Sequence, residues 1–219
     1  MKEPNRERKG DIKAISKVTL NEEQKEASSM IYKYPITVIT GRAGSGKSLV
    51  GAHCGLNFLA KGMVKKVMVT RATVVVGDDL GFLPGPLTDK FNPYIEAFID
   101  NLNECSDPVY VSELILTNKI IGCTVQFIRG KTINDLLVIE EAQNLTKEQM
   151  LALITRLGKD GKIIINGDNE QKDTRESFTG LSYAIELSKK FPEDIAWIKL
   201  KHNHRNDLVG KILDYEYGN

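Results

Sequence analysis

Apolar residues recur along this chain in two rhythms. Short, nearly uninterrupted aliphatic runs occupy residues 35–40, 66–70, 136–139, 162–166 and 195–200, the pattern of strands buried on both faces. Between them lie segments with helical character. Residues 47–61 carry apolar side chains at Leu49, Val50, Ala52, Leu56, Phe58 and Leu59, and residues 147–157, 177–190 and 206–215 read the same way. Residues 21–32 add a helix ahead of the first strand, with Asn21 as N-cap and Glu23 and Glu26 in the early turns. Strand and helix alternation of this kind predicts an α/β domain, a parallel sheet with helices on both faces.

Residues 72–130 break the rhythm. Gly77, Gly81, Pro84, Gly85, Pro86 and Pro93 crowd its first half, followed by an expected helix over 94–103 and a short strand over 124–129. No second α/β core fits there, so the stretch is expected to be an insertion after the second strand, at one end of the sheet. Residues 1–18 carry six Lys or Arg against three acids and little apolar surface. They are expected to form a flexible arm, the alternative being a basic arm that touches nucleic acid or a neighbouring subunit. One domain is expected over 19–219.

Composition narrows the classes. The chain has 219 residues, 41% hydrophobic and 27% charged, as in an ordinary soluble protein, and its net charge of +1 gives no global electrostatic case for nucleic acid. Cys54, Cys105 and Cys123 include no Cys-x-x-Cys pair, which argues against a disulfide framework or a zinc site and suits a reducing compartment. No apolar run reaches the roughly 18 residues of a membrane span, and the charged N-terminus lacks a signal peptide's apolar segment. A cytoplasmic protein without membrane contact is the expectation.

The candidate chemistry begins at Gly41-Arg42-Ala43-Gly44-Ser45-Gly46-Lys47-Ser48. This Gly-x-x-x-x-Gly-Lys-Ser pattern follows a strand and opens a helix, the context of a phosphate-binding loop. Glycines let the backbone curl around phosphate oxygens, and loop amides with the helix N-terminus form an anion site. Lys47 is placed to neutralise the β- and γ-phosphates, and the Ser48 hydroxyl to ligate magnesium.

Further along, the apolar run 136–139 ends in Glu140 and Glu141. Two carboxylates at a strand's C-terminal end lie where open α/β sheets bind ligands. One can hold magnesium directly or through water, and the other can orient and deprotonate an attacking water. Gly167-Asp168-Asn169-Glu170-Gln171 again follows an apolar strand, and Gln171 could bond a γ-phosphate or that water, although Gly-Asp-Asn is also good turn chemistry.

In this order the three elements resemble the first motor domain of superfamily 1 helicases, and the wider text resembles the PhoH family of P-loop ATPases. The likeness rests on Thr40 through Ser48, Gly81-Phe82-Leu83-Pro84-Gly85 with Lys90 and Pro93-Tyr94, and Ile128-Arg129-Gly130-Lys131-Thr132. It continues in Glu141-Ala142-Gln143-Asn144, Thr155-Arg156-Leu157-Gly158 and Gly167-Asp168 with Gln171. It covers residues 19–215. The resemblance implies a RecA-like P-loop NTPase fold, ATP hydrolysis with Mg2+, and a role in RNA metabolism. Gln24 falls where such ATPases place an adenine-reading glutamine, an exposed helical Gln being the alternative. The implied nucleotide-binding set is Gln24, Gly41, Arg42, Ala43, Gly44, Ser45, Gly46, Lys47, Ser48 and Leu49, with Ser48 and Glu140 at the metal. One position departs: the family reads Asp-Glu-Ala-Gln where this chain has Glu140-Glu141-Ala142-Gln143, so the longer Glu140 needs a shifted backbone or a different rotamer to serve the metal.

Helicases of that superfamily close ATP between two motor domains, the second supplying arginines, and this sequence contains one. A homo-oligomeric ring (a hexamer among the options) in which a neighbour donates an arginine would complete the site. The candidates are Arg156, Arg175 and Arg205, each of which could equally be a surface or salt-bridging residue. For single-stranded RNA or DNA, Thr70-Arg71-Ala72-Thr73 and Arg129-Gly130-Lys131-Thr132 offer phosphate contacts. Phe82, Phe91, Tyr94 and Phe127 could stack on bases, or simply pack. Two other functions stay open: a nucleotide-gated scaffold with slow turnover, and a P-loop kinase, which would have to exclude water.

Overall fold

A computed structural model describes residues 17–72, 87–168 and 178–203, together with 208, 211 and 215; for 87–94 it describes the backbone alone. Two signals written in the sequence start the first helix, α1 (Glu22–Lys33). The Asn21 side chain accepts the backbone N–H of Gln24 at 2.8 Å, and Gln24 Oε1 accepts that of Asn21 at 3.0 Å, so two otherwise orphaned donors are satisfied reciprocally. Then follow β1 (Ile36–Gly41), α2 (Lys47–Ala60), β2 (Val67–Arg71), α3 (Leu87–Cys105), α4 (Pro108–Leu116), β3 (Ile120–Gly122) and α5 (Val125–Arg129). The chain continues through β4 (Leu136–Glu140), a 3-10 turn (Ala142–Asn144), α6 (Lys147–Ile154), β5 (Lys162–Gly167), α7 (Gly180–Lys190) and β6 (Ile195–Leu200).

The six strands form one sheet in the order β3-β2-β4-β5-β1-β6, and every pairing is parallel. Successive residues of a strand point to opposite faces, and the core divides accordingly. Ile39, Val67, Val69, Leu136, Val138 and Ile164 pack beneath α1–α4. Val38, Met68, Leu137, Ile139, Ile163 and Ile165 pack beneath α5–α7. Both faces of β1, β2, β4 and β5 are covered, which is why these strands read as apolar runs, while edge strand β6 leaves Trp197 and Lys199 exposed.

The insertion differs from its expected form. Residues 124–129 are not a strand. Thr124 Oγ1 accepts from Phe127 N at 3.1 Å and caps α5, a short helix. The strand that does occur there is β3, three residues pairing with β2 at the sheet edge. Helix α4 is an addition, begun by Asp107, whose side chain accepts from Val109 N at 2.8 Å ahead of Pro108. Helix α3 begins before residue 94 and packs on α2. Helix α6 ends at Ile154, earlier than residue 157, because residue 157 turns back to form a bridge with Ile133. Most of the arm lies outside the described residues, but Lys17 N donates to Cys105 O at 2.8 Å and Val18 packs against the core. Of the helix expected over 206–215, residues 208, 211 and 215 are helical and the others lie outside the described set.

Candidate functional site

The site forms where β1, β4 and β5 end together. Gly41 closes β1 at φ 156°, and a Cβ there would stand 2.6 Å from Leu200 O and 2.7 Å from Ser45 Oγ. The close approach of β6 therefore requires glycine at that point. Gly46 is the N-cap of α2 at φ 83°, a left-handed conformation that glycine adopts without cost and that turns the loop into the helix. Lys47 folds back over this loop, with Nζ donating to Gly41 O at 2.5 Å and to Arg42 O at 3.1 Å.

Ser48, on the first turn of α2, donates from Oγ to Glu140 Oε2 at 2.8 Å. The other Glu140 oxygen accepts from Asn166 Nδ2 at 2.9 Å. Glu140 is thus the buried end of β4, held between α2 and β5. Burial pushes its carboxyl above the usual range; the Asn166 and Ser48 hydrogen bonds pull the other way, as does Lys47, while Glu141 adds to the rise. The extra methylene relative to the family's aspartate is accommodated: the carboxylate reaches the Ser48 hydroxyl.

Glu141 leaves the strand at φ 53° and ψ 43°, a region few non-glycine residues occupy. The 3-10 turn follows directly, and the Glu141 side chain lines the cleft at the sheet's end. Gln143 Nε2 donates to Glu141 Oε2 at 2.6 Å, and Gln143 Oε1 accepts from Asp168 N at 3.0 Å. Arg71 Nη2 lies 3.7 Å from Glu141 Oε1, both side chains about two-fifths exposed. Gln143 therefore ties the acid turn to the end of β5, and Arg71 ties it to the end of β2.

These groups open onto a cleft of about 700 Å³, walled by Gln24, Gly44, Gly46, Lys47, Ser48, Leu49, Glu140, Glu141 and Asp168, a volume in the range of small-molecule sites. Gln24 is buried, not exposed on its helix, and its oxygen is spent on the α1 cap. Ala97, Asn101 and Glu104 of α3 form a further wall, which no motif announced because they are a helical face in the irregular insertion. Asn166 was legible only as a polar residue ending an apolar strand, and Gln143 only as part of a family motif.

Other residues lie elsewhere. Arg156 is not on this cleft; its Nη1 donates to Arg129 O at 3.1 Å beside an open surface groove with Leu151 and Thr155. Gln171, Arg175, Arg205 and Phe82 lie outside the described residues, as do the side chains of Phe91 and Tyr94. Phe127 is 44% exposed, with Lys131 Nζ 3.5 Å from its ring centroid. No helix among the described residues is long and apolar enough to cross a membrane.

Comparison with known proteins agrees with this architecture. The family model described as PhoH-like protein matches residues 17–216. A PhoH-like protein of Mycobacterium leprae is 32% identical over 211 residues, covering 93% of this chain and 60% of the relative. One from Bacillus subtilis is 34% identical over 195 residues, covering 87% and 61%. The chain thus spans under two thirds of these relatives. Among solved structures, the large terminase of a thermophilic bacteriophage superposes with a TM-score of 0.59 at 10% identity, over 92% of this chain and 51% of that one. The fold is that of P-loop NTPases.

Proposed function

The chain belongs to the PhoH-like family, and on that premise we propose that it is a magnesium-dependent ATP phosphohydrolase coupled to single-stranded nucleic acid, RNA more than DNA, working as a ring of subunits. The observation that carries the reading is the convergence of Lys47, Ser48, Glu140 and Glu141 on one cleft. Loop amides and the N-terminus of α2 favour phosphate. Lys47 exchanges the Gly41 and Arg42 carbonyls for phosphate oxygens. Glu141, aimed outward by its left-handed backbone, orients the attacking water and accepts its proton.

The donor set fits magnesium. Ser48 Oγ and the Glu140 carboxylate are hard oxygens in contact with each other, the ligand type this ion prefers. No group of three or more His, Cys, Asp or Glu among the described residues could hold a metal. A cation would therefore share phosphate oxygens and water, as magnesium does at nucleotide sites. Bound there, it would neutralise charge on the phosphates.

Leu151 of α6, 43% exposed, lies with Ala152 beside Arg156 and supports a subunit contact that would carry this arginine to a neighbour's cleft. Three buried free thiols support work in a reducing cytoplasm. The test is ATP turnover with and without single-stranded RNA or DNA, compared with Lys47→Ala and Glu141→Gln. If neither substitution lowers turnover, the site is wrong. Sedimentation that shows only monomer with nucleotide and magnesium would remove the ring. A slowly turning scaffold is the second reading, favoured by one observation: both Glu141 oxygens already face partners.

A further inference from the structure

Arg71 stands between two cavities. On one side it meets Glu141 at the nucleotide cleft. On the other it lines a separate polar recess of about 170 Å³ with Thr124, Gln126, Asn144, Thr146 and Gln149. No carboxylate among the described residues lines that recess; Arg71 is its charged lining residue, and neutral polar and apolar side chains, Ile95, Val125 and Leu145 among them, complete its walls. Its volume is below the roughly 300–1,000 Å³ of ligand pockets, which suits one backbone group more than a whole nucleotide.

One turn runs between the two cavities, with Glu141 lining the cleft and Asn144 lining the recess. Glu141 begins the turn at φ 53°, Asn144 ends it, and Thr146 caps the helix that follows. A group entering the recess therefore meets the same turn that aims Glu141. The Arg71 contact is long and half-exposed, the kind of ion pair that solvent screens and a better partner displaces. A phosphodiester is such a partner, because its paired oxygens match the guanidinium fork.

We propose that the Arg71–Glu141 pair is an inhibitory latch, and that the recess takes a phosphodiester of single-stranded nucleic acid, which draws Arg71 away and frees Glu141 Oε1 to orient water while Gln143 continues to hold Oε2. The hydrolytic role of Glu141 is taken from the proposed function; the competition for Arg71 is not. Nucleic acid and the Glu141 carboxylate then bind Arg71 in exclusive alternatives, and linkage requires that removing one strengthens the other.

The test is a double-mutant cycle on binding of short fluorescein-labelled oligouridylate and oligothymidylate, without nucleotide. Arg71→Ala weakens binding about tenfold. Glu141→Gln tightens it about threefold, the scale of an exposed ion pair, and the double variant matches Arg71→Ala. The two oligonucleotides tell an RNA from a DNA ligand. No binding of either, no tightening by Glu141→Gln, or tightening that persists without Arg71 each overturns the latch. In turnover, Arg71→Ala raises the basal rate and abolishes stimulation; a lowered basal rate would mean that Arg71 serves the nucleotide itself and would also overturn it. Wild-type protein that hydrolyses no ATP would defeat the proposed function while leaving the binding cycle to decide the latch.

Discussion

Ser48 and Glu140 are joined by a 2.8 Å hydrogen bond that pins the first turn of α2 to the last residue of β4. The bond lets a phosphate loop and an acid strand, separated in the sheet by β5, act as one site. It also sets up a measurable electrostatic cost, because the carboxylate it holds is buried.

Burial raises the Glu140 carboxyl above its ordinary 4.5. The folded chain then retains a proton that the unfolded chain has released, so stability falls as pH rises from the ordinary value through the native one. Glu140→Gln should remove this slope and melt above wild type at neutral pH. The introduced amide can also donate to Asn166 Oδ1, which is buried and has no hydrogen-bond partner among the described residues. Thermal melts of both proteins across that window decide it; a difference that does not change with pH would refute the assignment.

Lys47→Ala removes the cation of the phosphate loop and should lower ATP turnover by about a hundredfold or more, the usual cost of losing one group aimed at developing charge. Glu141→Gln keeps the shape and loses the base, with an expected loss of about 10²–10⁴-fold. Nucleotide binding separates the two, because Glu141→Gln should still retain ATP.

Gly161 offers a test of the packing. An added Cβ would run into the carbonyl of Ile133, which also accepts from Gly158 N at 2.7 Å. Gly161→Ala should cost about 1–3 kcal/mol, as overpacking does. Gly130→Ala is the control. It has φ −91° and, among the described residues, nothing within 4 Å of its Cβ, so denaturant midpoints should place it within about 0.5 kcal/mol of wild type or above it.

Trp197 is the single tryptophan, and its Nε1 donates to Thr40 Oγ1 at 3.0 Å, one residue before the phosphate loop. Titration with ATP and magnesium should change its fluorescence, and Lys47→Ala should suppress the change. A flat wild-type titration would show that the loop and β6 are not coupled.

The alternation of five apolar runs with helical segments was readable because β1, β2, β4 and β5 are buried almost throughout. At the sheet edge, β6 keeps an apolar run although Trp197 and Lys199 are exposed. The segment 124–129 misled because Val125 and Phe127 alternate with Thr124 and Gln126 as a strand would, although the residues that are buried, Val125 and Ile128, have helical spacing. Thr124 as a cap outweighs that pattern, and the sheet edge is taken by residues 120–122 instead. Helix α4 carried its own start signal, Asp107 before Pro108, inside a stretch otherwise read as irregular.

By itself the sequence determined the phosphate loop, because its geometry is local: a left-handed Gly46, then Lys47 and Ser48 on the same first turn, need only eight consecutive residues. It also determined an acidic strand end. Strand order was decided by tertiary structure alone, and with it every contact that couples the site. Placing β5 between β1 and β4 brings Asn166 to Glu140, and placing β2 beside β4 brings Arg71 to Glu141. Those pairs are 26 and about 70 residues apart in the chain, beyond the reach of any periodicity, because hydrophobic pattern specifies which face of a strand is buried and not which strand lies beside it.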